Sequence, residues 1–459
     1  MMSDKFTKTQ KSAKFKALPH KYASNDSKFD KKLVDITERV GFKLALFSVS
    51  MMTILAGVIV SPALPAIETH FKDTANVEIL TRLIVTMPAL FVLLFAPVAG
   101  ALVDKFGKLK FLYPSILIWT LAGCGAAFVD NLYLILVCRA VFGIATAFVM
   151  TISTTLIGDY FSKGGKDRMQ GALGLQNFVM AFGGALATLA GGLLVTLSWR
   201  YIFLVYAFGF VILIANALYL FEPKFTRKKV AQAPVKMSFT PYLGAWFMGF
   251  FGSVVYYLCP TQLPFYIRDY LGLDSTFVGV AIGIPPLTYG LCALFYKKMS
   301  LKFSLFSLYA FGMVLFGAGF LIIVFIHDFG ALLVAMAIIG FGSGLVYINN
   351  SAWILKLAPQ AVRGKVVGIL SSCIFLGQFL SPLLTQPLVA SIGLFEMFLL
   401  YGTLIFIVAL VFFIASRKIR AKFTFFVKIW RIFAKNLKIF EFFSKFFKKP
   451  LTNTRCNAL

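Results

Sequence analysis

Long apolar runs alternate with short polar gaps along most of the chain. Twelve such runs lie near residues 44–67, 83–103, 111–129, 132–158, 169–198, 201–221, 240–267, 276–296, 303–326, 330–355, 366–394 and 397–416. Each is roughly 20 residues or more, enough to cross about 30 Å of hydrocarbon as a helix. The pattern predicts an all-α membrane protein with twelve transmembrane helices. No removable leader is expected, because residues 1–43 are polar and lysine-rich and the first apolar run is too long and lacks a small-residue cleavage site.

Composition agrees: 59% of the 459 residues are apolar, 14% are charged and 52 are Phe, which excludes an ordinary soluble domain. The net charge of +27 raises the question of nucleic acid, and the placement of the cations answers it. Lys and Arg crowd into the two tails and the even-numbered loops. The odd-numbered loops hold only Lys72, Arg82, Arg200 and Arg268, and Arg139 sits inside a run. The positive-inside rule therefore puts both termini and the even loops in the cytoplasm, as expected of a bacterial inner-membrane protein, with no nucleic-acid partner. Cys124, Cys138, Cys259, Cys292 and Cys373 fall in spans and Cys456 in the tail, without metal-ligand or disulfide spacing, and His20, His70 and His327 are isolated. No metal, cofactor or enzymatic nucleophile is expected.

The chain repeats itself faintly. Pro62 and Pro65 in the first run answer to Pro260 and Pro264 in the seventh, and Gly174 and Gly183 in the fifth answer to Gly368 and Gly377 in the eleventh. Two matches at nearly one offset imply two six-helix bundles, with the substrate path between them as in repeat-built transporters. The expected division is a basic tail 1–43, a first bundle 44–221, a polar linker 222–239, a second bundle 240–416 and a tail 417–459. From Lys422 onward basic residues recur at helical spacing against Phe426, Trp430, Phe433, Leu437 and Phe440, the pattern of an amphipathic helix on anionic lipid.

The gap after the second run reads GALVDKFGKLK. Gly100 allows close helix approach, Gly107 permits a tight reversal, and Asp104 can sit at a helix N-terminus where the dipole favours an anion. With Leu102, Lys108 and Lys110, these positions resemble the loop signature of the major facilitator superfamily, and within it of the twelve-span drug:proton antiporters. LILVCRAVFGIATA in span four is similar to a second motif of that family, aligning Arg139 and Gly143. SPALP in span one, SWRYIF before span six, and Arg363 with Gly364 after span ten extend the resemblance over about residues 40–416. Span five offers GGALATLAGG but lacks the proline that the family's exporters carry there.

The resemblance implies a major facilitator fold and a secondary active, proton-coupled exporter of small amphipathic compounds working by alternating access as a monomer. Its gating and coupling residues would be Gly100, Asp104, Gly107, Lys108, Arg139, Gly143 and Arg363. In that family spans one, four, seven and ten line the cavity, which singles out Ser50, Thr53, Ser153, Tyr256, Tyr257, Gln262, Tyr347, Asn349, Asn350 and Trp353. Gln176, Asn177 and Gln378 are further amides at membrane depth. Arg139 reads as the only charge deep in a span, and Glu68, at an outer end, as the nearest approach to an intramembrane carboxylate. That inventory favours neutral or anionic substrates over strongly cationic ones. A carrier for metabolite uptake, or a transporter-like receptor, are the alternatives.

Overall fold

The computed structural model describes residues 37–161, 166–222 and 239–418. The N-terminal tail up to residue 36, the linker between 223 and 238, and the amphipathic segment from Lys422 lie outside the described residues. Within them the chain is helical, as hydrocarbon demands of a backbone with no water to bond. Spans one and two are Val40–His70 and Val77–Phe106; the third, Leu109–Gly125, is shorter. Spans four to seven are Leu132–Phe161, Gly171–Leu197, Tyr201–Tyr219 and Thr240–Asp269. Spans eight to twelve are Ser275–Lys302, Leu305–Phe325, Phe329–Leu357, Val362–Ile392 and Leu394–Ile414.

Local chemistry sets the ends. Asp274, Ser304 and Asp328 accept backbone N–H bonds at the starts of spans eight, nine and ten, the usual relief for unpaired N-terminal donors. Gly107 and Gly393 take φ of +102° and +95° at the reversals into spans three and twelve, a region closed to most side chains. The paired prolines of span one interrupt it: a 3-10 turn, Ser61–Ala63, separates helix Val40–Val58 from Leu64–His70.

The apolar interior divides by halves. One core belongs to the first six spans, with Tyr257 and Phe265 of span seven reaching into it; two more clusters belong to the last six. The repeat is visible as packing. A Cβ on Gly143 would lie 2.8 Å from the Cα and carbonyl oxygen of Pro88, and one on Gly340 would lie 2.5 Å from the same atoms of Pro285. Both partners are shifted by 197 residues, so the crossing of spans two and four recurs in spans eight and ten. Arg139, however, maps onto Met336 at that offset, and both side chains are fully buried.

Hydrogen bonds between the halves are gathered at one end. The described hydrogen bonds that join the first six spans to the last six run from Arg82 to Gln262, Gln386 to Glu78, Arg268 to Pro65 and Thr69, and Ser275 to Gly192. All of these lie on the odd-loop side. The structure is therefore closed there.

Candidate functional site

Midway along the spans, between the halves, lies a cavity of about 480 Å³, within the usual range for small-molecule sites. The first half contributes Thr53, Thr146, Met150, Asn177 and Met180; the second contributes Tyr256, Tyr257, Tyr289, Tyr347, Phe375 and Gln378. Apart from Ser351 the remaining lining is apolar, and no lining residue carries a formal charge. Tyr256 and Tyr347 meet edge to face at 6.2 Å, and Tyr347 is fixed through its hydroxyl to Ser253 at 2.9 Å. Flat aromatic walls with hydroxyl and amide tips suit a planar, partly polar guest.

Of the candidate binding residues, Thr53, Asn177, Tyr256, Tyr257 and Tyr347 are brought together at this cavity, as is Gln378. The others hold helices to one another. Ser50 and Ser153 share a hydrogen bond of 2.6 Å, and Gln176 donates to Ser50 at 3.0 Å, stitching spans one, four and five. Asn349 bonds Tyr296 and the Leu305 carbonyl, and Asn350 accepts from Tyr309. Trp353 packs on Phe306 and Tyr309. Gln262 belongs to the closed end. Their burial forces this use, since an amide or hydroxyl at membrane depth must find a partner. Tyr289, Thr146, Met150, Met180 and Phe375 do not stand out in the sequence. Tyr289 alone offers a signal, a phenol beside Pro285 and Pro286 in mid-span.

Arg139 is 0% exposed and does not line the cavity. Its Nε donates to the Ile84 carbonyl at 3.1 Å and its Nη2 to the Ala56 carbonyl at 2.9 Å, while the guanidinium lies over Phe142 at 4.3 Å. The reason is local. Ile84 stands four residues before Pro88, which has no N–H, so the Ile84 carbonyl lacks its helical donor. Arg139 and Gly143, four apart, share the face of span four that meets this gap.

Two expectations need correction. Arg139 is not the only charge within a span, and Arg82 is not a loop residue. Helix begins at Val77, so Glu78 and Arg82 lie inside span two, and Arg82 is 4% exposed. The uncharged run starts only at Leu83 because these charges break it, yet they are neutralised by partners. Arg82 Nη1 donates to Glu68 and to the Glu78 carbonyl, each at 2.7 Å, and Nε donates to Gln262 at 3.0 Å. Nearby but outside the spans, hydrogen bonding with His70, and then the charge of Arg200, hold the Asp130 carboxyl below its ordinary range.

At the even-loop end the GALVDKFGKLK stretch is held differently from the expectation. Asp104 lies exposed in the last turn of its own helix. The anion at the N-terminus of span three is Glu222, which accepts from the backbone N–H of Lys108 and of Leu109 at 2.8 Å each. Lys108 is ion-paired with Asp159. A Cβ at Gly100 would meet no described atom within 4 Å, so close approach is not its role here, whereas it is for Gly143. Arg363 donates to the Leu355 and Ala358 carbonyls at the end of span ten, where a cation complements the helix dipole. Glu222→Gln is expected to lower stability by about 1 kcal/mol by weakening that charge at the helix start, with the shift in thermal unfolding as the check.

Comparison with known proteins places this geometry. A profile of the Major Facilitator Superfamily matches residues 46–274 and again 242–454. The bacillibactin exporter of Bacillus subtilis (strain 168) is 33% identical over 161 residues, 34% of this chain and 39% of its own. The efflux pump dotC of Dothistroma septosporum is 30% identical over 166 residues, 36% of this chain and 26% of its own. The quinolone resistance protein NorB of Staphylococcus aureus (strain JH9) is 32% identical over 142 residues, 29% of this chain and 28% of its own. The chain thus spans well under half the length of these curated relatives. Among solved structures, a bacterial homologue of the human lysosomal transporter Spinster, inward-facing and occupied, aligns with TM-score 0.67 at 14% identity, covering 82% of this chain and 96% of that one. The nucleoside transporter NupG aligns with TM-score 0.67 at 12% identity, covering 81% and 99%. These last two likenesses concern the fold.

Proposed function

The chain belongs to the major facilitator superfamily, and from that premise we propose that it is a transporter, not an enzyme, that exports small amphipathic compounds of neutral or anionic character. The export is from a bacterial cytoplasm, by alternating access coupled to inward proton flow, with both termini cytoplasmic. The observation that carries the reading is the cavity: it lies at mid-depth, both halves line it, and it holds no charge. Closure on the odd-loop side then makes this the state that loads from the cytoplasm. The named efflux relatives support the direction. The missing proline of GGALATLAGG, from Gly183 to Gly192, favours the second reading, a carrier that takes up a metabolite.

Inverted membrane vesicles separate the two. With an imposed pH gradient, fluorescent neutral and anionic aromatic probes should accumulate, cationic ones much less, and collapse of the gradient should release them. No accumulation of any class under the gradient sinks export. The selectivity follows from the uncharged wall, so Gln378→Glu should raise preference for a cationic probe over a neutral one by on the order of tenfold. An unchanged ratio would remove the cavity from the argument.

Asp104 remains the proposed gating anion, together with Gly100, Gly107, Lys108, Arg139, Gly143 and Arg363. Asp104→Asn should leave the protein inserted and folded while cutting flux severely. Full flux in that variant would end its gating role.

A further inference from the structure

We propose that Arg82 is the lock of the odd-loop gate: a positioning residue that touches no substrate, and whose release from the second half is the step that opens that end. The inference rests on the alternating-access reading above. It starts from a buried network that the cavity does not use.

Arg82 draws on both halves at once. Within the first half it holds Glu68 and the Glu78 carbonyl. Across the junction it donates to Gln262 and lies 3.9 Å over the ring of Phe265. Gln262 in turn donates to Gln386 at 3.2 Å and Thr385 at 3.3 Å, and Gln386 donates back to the Glu78 carboxylate at 2.5 Å. The side chains of Arg82, Gln262 and Gln386 thus form a circuit that leaves span two, passes through spans seven and eleven, and returns to span two. Separating the halves on this side must break the Arg82–Gln262 and Gln386–Glu78 bonds together and carry Arg82 off the face of Phe265. Arg82, Gln262 and Gln386 are buried, and a circuit whose buried members satisfy one another is costly to open in part, so it favours two discrete arrangements over a graded one. Arg268, lying 5.4 Å over Phe265 and bonded to the Pro65 carbonyl, repeats the tie one turn outward.

The first-half ion pair survives opening, which is what allows the lock to cycle. Arg82 and Glu68 both belong to the first half, so the cation keeps a carboxylate when the junction parts. The Arg82–Gln262 and Gln386–Glu78 bonds and the ring contact are lost.

Distance measurement tests this without knowledge of the substrate. Lys72→Cys and Ala390→Cys, both exposed on the odd-loop side, carry spin labels in full-length protein stripped of its native cysteines and set in lipid nanodiscs. The parent should show one dominant short distance. Gln262→Leu with Gln386→Leu, which removes the cross-half bonds and leaves Arg82–Glu68 intact, should raise the long-distance population about tenfold. Arg82→Met should do at least as much, and Arg82→Lys less than either. If Arg82→Met fails to fold, the glutamine pair still decides. An unchanged distance distribution in the folded glutamine variant overturns the lock. Vesicle flux run in parallel keeps the two ideas apart: altered distances without any flux in the parent would uphold the lock and sink the transport reading, while parental flux with unaltered distances would do the reverse.

Discussion

Arg139→Met is expected to abolish flux and to destabilise the protein by about 2 kcal/mol, and Pro88→Ala is expected to return part of that loss. The sign follows from the carbonyl count. In the native chain Pro88 leaves the Ile84 carbonyl without a helical donor, and the Arg139 Nε fills the vacancy at 3.1 Å. Methionine keeps the volume and the apolar contact with Phe142 and removes the donor, so a buried carbonyl is stranded where no water comes. Alanine at 88 supplies a backbone N–H of its own, and the stranded carbonyl recovers a partner. The cost of Arg139→Met should therefore be smaller by about 1 kcal/mol in the Pro88→Ala background, a coupling that a double-mutant cycle in thermal unfolding measures. Equal costs in both backgrounds would show that the proline and the arginine are independent. Flux should recover less than stability, because the Nη2 bond to the Ala56 carbonyl is not replaced.

Gly192→Val is expected to remove flux altogether, whereas Gly174→Val on the same helix should change it little. A Cβ at Gly192 would lie 2.6 Å from the Ser275 carbonyl oxygen and 3.0 Å from the Gly279 Cα, so backbone of span eight would have to yield. Small residues at helix crossings permit this approach. At Gly174 a Cβ meets no described atom within 4 Å. Because the Gly192 crossing joins the two halves, prying it apart also opens the junction on the odd-loop side, and the variant should be inserted but unable to load from the cytoplasm. Uptake into inverted vesicles, with membrane insertion measured alongside, checks both. Normal flux in Gly192→Val would mean that spans five and eight separate at no cost.

The spans are legible in the sequence because hydrocarbon imposes a length and a composition, and the two-fold repeat because proline and glycine keep their offsets. Side-chain assignments are harder. Sequence shows Gly174 and Gly192 as equals, and only packing distinguishes them. It shows Ser50, Gln176, Asn349 and Asn350 as polar groups at depth, but whether such a group faces a cavity or another helix depends on rotation that no periodicity reveals. Arg82 escapes a sequence reading for a specific reason. A rule that ends a span at the first charge cannot see Glu68 and Gln262, one on a neighbouring helix and one 180 residues away.

The 197-residue equivalence of Pro88 with Pro285 has a mechanical consequence. In span two the rung broken by Pro88 is propped by a charged side chain, while Pro97 breaks another nearer the even-loop end. In span eight Pro285 and Pro286 break two successive rungs, at the Ala281 and Ile282 carbonyls, and the residue in the position of Arg139 is Met336, which donates nothing. The two halves are thus alike in outline and unequal in stiffness. At this crossing span two should stay stiff while span eight bends, and the amides following Pro286 should exchange with deuterium sooner than those following Pro88. A shape built by repetition has kept one arm braced and left the other compliant.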